Sequence, residues 1–126
     1  MVTSSRSDSS SETWMAWLLR EGDVLAAVEV AESPGDRMRG LVGRPEPEGA
    51  LLLHRPLLLH TIGVGYGVDV AFCNPKMEVT AIARLKRSRV ALPRLRRGAR
   101  MVVLASEGAF ERWHLAVGDR LEVKGS

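Results

Sequence analysis

The sequence predicts a mainly β protein of the α+β kind, a small antiparallel barrel or sandwich of seven to eight short strands with two short helices. Three observations predict it. The chain has 126 residues, the size of one domain. Its apolar residues, 45% of the total, fall in short runs rather than in long helical stripes. Turn residues separate those runs at close intervals, with no room for repeated crossover helices.

Residues 1–13, MVTSSRSDSSSET, hold six serines and almost no bulky apolar side chain. Such a stretch cannot offset its ordering entropy and is expected to be a disordered tail, with 14–126 forming a single globular domain. Segments 14–20 and 24–32 read as strands joined at Glu21-Gly22-Asp23, a hairpin. In the second, Val28, Glu29, Val30, Ala31 and Glu32 suggest one buried face and one wet face. Ser33-Pro34-Gly35-Asp36 starts a helix: Ser33 caps, Pro34 fits the first position and Asp36 favours the dipole. Met38, Leu41 and Val42 share a face, and Gly43 closes the helix.

ALLLH (50–54) and LLLH (57–60) are two short strands, or a strand and a turn, divided by Pro56, which cannot donate to a ladder. TIGVGYG (61–67) is a glycine loop. VDVAFC (68–73) and EVTAIARL (78–85) are strands around the turn Asn74-Pro75-Lys76-Met77. MVVLAS (101–106) is a further strand, AFERWHL (109–115) a second short helix, and RLEV after Val117-Gly118-Asp119 the last strand.

The lone cysteine, Cys73, excludes an internal disulfide and a thiolate-rich zinc site. No apolar run approaches the ~20 residues of a membrane span, and no secretory signal pattern is visible, so the expected location is the cytoplasm. The net charge of +3 hides a division. Segment 84–100 carries eight basic residues and no acid, and the rest of the chain nets −5. Arg94, Arg96 and Arg97 are its candidate anion-binding residues, for nucleic acid or another polyanion. The segment contains no aromatic residue for base stacking, so nucleic acid is an alternative rather than the favoured partner.

No complete catalytic or metal-binding pattern is present: there is no HExxH, CxxC or GxSxG, and the glycine loop leads into a strand rather than a phosphate-binding helix. No cofactor and no metal is implied. His60, at the end of a strand, and Asp69 are the acid/base candidates, which makes a hydrolase or lyase a further alternative. Asp69 interrupts an apolar strand, so burial would oblige it to find partners, with Arg37, Arg39 and loop amides as candidates. Holding the loop in place is the favoured role for Asp69. Cys73 reads as a buried, inert thiol. Trp14, Trp17 and Trp113 read as core or rim packing.

The order DRMRGLVGR (36–44), HTIGVGYGVDVAF (60–72) and G…LAVGDRLEV (108–123) resembles domain-of-unknown-function family 192, small uncharacterised bacterial and archaeal proteins. The matching positions are Arg37, Gly40, Leu41 and Arg44, then His60, Thr61, Gly63, Val68, Asp69 and Phe72, then Gly118 and Asp119. The sequence departs from the family at Val64 and Gly67, where Met and Pro are usual, and at Leu104, where Glu is usual. The resemblance implies a compact β-barrel-type fold and no particular reaction. The expected function is a non-enzymatic accessory module that binds a small ligand or a protein partner, with His60, Thr61, Gly63, Asp69 and Arg37 as candidate ligand-binding residues.

Overall fold

A computed structural model describes residues 13–31, 48–54, 59–60, 65–86, 90–91 and 101–125. The strands are β1 (Thr13–Arg20), β2 (Asp23–Ala31), β3 (Ala50–His54), β4 (Leu59–His60), β5 (Val68–Cys73), β6 (Val79–Leu85), β7 (Val90–Ala91), β8 (Met101–Ser106) and β9 (Leu121–Gly125). One short helix, α1 (Ala109–Trp113), lies between β8 and β9. The other expected helix, 33–43, and the serine-rich stretch up to residue 12 lie outside the described residues.

Seven strands form one sheet in the order β6-β5-β8-β3-β2-β1-β9, and β4 and β7 form a separate two-stranded ribbon. The antiparallel arrangement expected from the sequence is corrected at one place: β2 and β3 run parallel, with Val28 opposite Ala50. Parallel neighbours cannot be joined by a tight turn. The chain between Ala31 and Ala50 is long enough for a crossover, and that length was the sign of the parallel pair.

The sheet is also not closed into a barrel. Its edge strands meet at an isolated bridge, Glu78 with Arg120. Around it the Val79 amide donates to the Asp119 carbonyl (2.8 Å) and the Leu121 amide to the Met77 carbonyl (2.9 Å). The partners of β6 here come from the turn before β9, where Gly118 (φ 100) reverses the chain, so contact is made at the start of β6 without a ladder along it.

Local chemistry accounts for the turns. Glu21 (φ 51) and Gly22 (φ 86) both take positive φ. That matches the two-residue hairpin turn whose twist suits antiparallel strands. At the next hairpin the Asn74 side-chain oxygen accepts from the amides of Lys76 and Glu78, both at 2.9 Å, and its amide nitrogen donates to Glu78 Oε1.

The sheet buries both faces at its centre. One face carries Leu18, Val28, Val30, Leu52, Ala71 and Val103, covered by Phe110 of α1. The other carries Leu51, Leu53, Val68, Val70, Phe72 and Leu104. Strands buried on both sides read as continuous apolar runs, as ALLLH and MVVLAS do, whereas β6 alternates between buried or half-buried and exposed residues. Trp17 (43% exposed) and Met15 alternate with buried Ala16 and Leu18 and so lie on the opposite face of β1, and Trp17 is not a core residue. Trp113 packs on Phe110, ring centroids 5.4 Å apart.

Arg20, at the end of β1, ties the C-terminal end of α1 to the sheet. Its guanidinium donates to the carbonyls of Trp113 (2.7 Å) and His114 (3.0 Å) and to Asp119 (3.1 Å). Arg20→Ala is therefore expected to cost about 1–2 kcal/mol in urea unfolding, since part of the lost bonding is replaced by water. A midpoint equal to that of the parent chain would contradict this role.

Candidate functional site

Asp69 is the one polar or charged residue among the buried ones described, at 3% exposure. It lies on β5, flanked by β6 and β8. Its position is dictated by register: it stands directly opposite Arg84 on β6 and Ala105 on β8. Oδ1 accepts from Arg84 Nε at 2.9 Å. Oδ2 accepts from the backbone amides of Gly108 (3.0 Å) and Phe110 (3.1 Å), where α1 begins. Gly108 at the helix entry is left-handed (φ 96) and offers no side-chain cap, so the carboxylate of Asp69 takes the place of one across the sheet.

Three donors on two oxygens make Asp69 a structural acceptor. This geometry agrees with a loop-holding role, but the loop held is 107–110 and the cation is Arg84. Thr61, Gly63, Arg37 and Arg39 lie outside the described residues. His60 is described by its backbone, which sits in the β4–β7 ribbon opposite Val90, not in the sheet that holds Asp69.

Arg84 is at the hub of a charge cluster. Besides Asp69 it has Glu111 Oε1 at 3.4 Å from Nη2 and Glu107 Oε2 at 3.9 Å from Nη1, and Lys86 lies 3.6 Å from Glu107. The hydrogen bond and charge of Asp69, followed by those of Glu111, hold the Arg84 guanidinium above its ordinary pKa, so it is permanently charged. Of the eight basic residues in 84–100, Arg84 and Lys86 have described side chains, and both face acids. Arg94, Arg96 and Arg97 lie outside the described residues.

Asp69, Arg84, Ile82, Ala83, Phe110, Glu111, His114 and Leu115 line a hollow of about 550 Å³ between β6 and α1. Its lining is polar at Asp69 and Arg84 and apolar at Ile82, Phe110 and Leu115. Arg84 was counted in the sequence only as part of a basic run. Counting across the hairpin does not single it out, because a shifted register sets the pairing.

Gly67, at the end of the glycine loop, has a spatial explanation: a Cβ there would meet the Glu107 carboxylate and lie 3.2 Å from the Leu85 carbonyl oxygen. Among the described residues no His/Cys/Asp/Glu group could hold a metal ion, and no helix is long and apolar enough to cross a membrane.

Burial pushes the Cys73 thiol up from 9.0 to about 12. A thiol kept neutral in the fold but free to ionise when unfolded does not affect the pH dependence below pH 9, and its effect appears as a loss of stability between pH 9 and about 12. Cys73→Ser or Cys73→Ala should flatten that alkaline decline, and in the native parent at pH 8 Cys73 should resist iodoacetamide until denaturant is added. Rapid native alkylation would refute this.

Fold and site together define a small mixed-sheet protein with one ion-paired hollow beside a short helix. Residues 17–123 match the model of DUF192, described as Uncharacterized ACR, and the chain belongs to this family. Among curated proteins none matches. Two solved structures share the fold. A candidate transcription regulator from Sinorhizobium meliloti 1021 has a TM-score of 0.71 at 20% identity, covering 92% of this chain and 97% of that one. A protein of unknown function from Novosphingobium aromaticivorans DSM 12444 has a TM-score of 0.68 at 16% identity, covering 87% and 84%.

Proposed function

We propose that the chain is a non-enzymatic binding module whose ligand or partner seats in the hollow between β6 and α1. The observation that carries this reading is the Asp69 carboxylate, both of whose oxygens are engaged within the protein. A general base needs an oxygen free to take a proton from substrate. Asp69 instead spends both oxygens on Arg84 and on the start of α1, which supports the hollow as a rigid receptor. The neighbouring groups, Glu111 and His114, are exposed and belong to the rim. The test is a ligand screen read by thermal shift and by the amide resonances of Phe110 and Leu115. Binding without turnover supports the module, and any bound compound that is chemically converted overturns it.

A second reading is binding of nucleic acid through 84–100, favoured by the +8 charge of that segment. The description of the Sinorhizobium neighbour as a candidate transcription regulator points the same way. On this reading, affinity for duplex DNA falls steeply with salt, and the logarithmic slope shrinks in the Arg94→Ala, Arg96→Ala, Arg97→Ala triple variant. An unchanged slope refutes it.

A further inference from the structure

We propose that the hollow accepts a small amphipathic carboxylate, whose carboxylate is gripped by Nη1 and Nη2 of Arg84 and whose apolar body lies on Ile82, Phe110 and Leu115. This rests on the binding reading above and adds the chemical class of the ligand.

Three features lead to it. First, Asp69 engages Arg84 through Nε at 2.9 Å, a short charge-assisted bond that fixes the guanidinium plane. The two terminal nitrogens have poorer partners: Glu111 at 3.4 Å and Glu107 at 3.9 Å, the second beyond hydrogen-bond distance. A planar guanidinium with one edge committed and its terminal fork loosely held suits a planar, bidentate carboxylate. Second, the Glu111 side chain is 79% exposed, so its hold on Arg84 is solvent-screened and easily exchanged. An incoming carboxylate displaces the Glu111 side chain into water, and the cluster gains one negative charge. A phosphate dianion would add two negative charges beside Glu107 and Glu111, twice the cost, with one guanidinium to meet them. Third, apolar side chains line the hollow beside the charges: Ile82 is 37% exposed although it sits on a strand, and Leu115 and the edge of buried Phe110 join it. The volume, about 550 Å³, falls within the roughly 300–1,000 Å³ common for small-molecule sites.

Glu111 is thus a competitor for Arg84 in the empty site, and its removal should help the ligand. The test is a titration of the full-length protein, followed by ¹H–¹⁵N resonances of Phe110, Glu111 and Leu115, with hexanoate as the probe. Hexanol, hexylammonium and inorganic phosphate are the comparators. Hexanoate is expected to move these resonances and to bind at least about tenfold more tightly than hexanol. Glu111→Gln is expected to tighten hexanoate by about threefold, and Arg84→Lys, which keeps a cation for Asp69, to weaken it by about tenfold.

Hexanol or hexylammonium binding as tightly as hexanoate overturns the carboxylate assignment and leaves the binding module standing. Phosphate outbinding hexanoate, or an affinity unmoved by Glu111→Gln, does the same. If none of the four probes moves these resonances, the carboxylate assignment falls, and the binding reading falls with it when the wider screen also finds nothing in the hollow.

Discussion

Replacing Asp69 with alanine is expected to lower the unfolding free energy by about 3 kcal/mol, read as a fall in the urea midpoint at constant slope. The arithmetic follows from the three donors it serves. The Phe110 amide is buried and the Gly108 amide partly so, and each unpaired buried donor costs on the order of 1–3 kcal/mol. Arg84 adds less, because its side chain is 36% exposed and can turn to water. Asp69→Asn should recover little: an amide offers one acceptor and one donor group to a site built from three donors. Exchange of the Phe110 amide should accelerate in both variants before global unfolding. A loss below about 0.5 kcal/mol in Asp69→Ala would remove Asp69 as the support of α1, and the rigid-receptor argument with it.

A loss of comparable size is expected from Gly49→Ala, a change of one methyl group. A Cβ at position 49 would be driven into the carbonyl of Ala27, and the obstacle is backbone, which cannot swing aside as a side chain can. Relief requires β2 and β3 to part just where their parallel pairing begins, at Val28 and Ala50. Because β3 is central and both its faces are packed, the strain spreads into the core, and a cost of about 3 kcal/mol is expected. Gly125→Ala is the control: a Cβ there has open space, and its unfolding midpoint should match the parent. A Gly49→Ala variant as stable as Gly125→Ala would mean that β2 and β3 do not approach so closely.

How much of this was legible varied by residue. The strands at 50–54, 68–73 and 101–106 match the sequence reading residue for residue, because an apolar run between turn residues is a local signal. The Glu21-Gly22 hairpin and the Asn74 turn were legible for the same reason. Asp69 was visible as an acid in an apolar strand, and its need for partners followed from burial alone. The identity of those partners did not. Counting outward from the Asn74–Met77 turn, with Cys73 opposite Glu78, places Ile82 opposite Asp69. In the sheet Cys73 stands opposite Val79 rather than Glu78, and the register irregularity at Phe72/Cys73 adds one more residue, which together deliver Arg84 instead. Gly49 carried no signal, since a lone glycine before a strand resembles any loop glycine. Arg84 was submerged in the basic run 84–100, where composition suggested an external polyanion. The structure gives Arg84 an internal carboxylate.

The amino-acid sequence by itself determined where the seven strands of the main sheet and the short helix lie, the family, and an acid in an apolar strand that burial would oblige to find partners. Those properties depend on neighbours within a few residues, or on motifs that survive as written. Only the tertiary structure decided the strand order, the parallel β2–β3 pair, the open sheet and the union of Asp69 with Arg84 and the start of α1. Each of these depends on which distant segments meet and in what register, and a single bulge or a long connection changes that outcome without altering any local pattern.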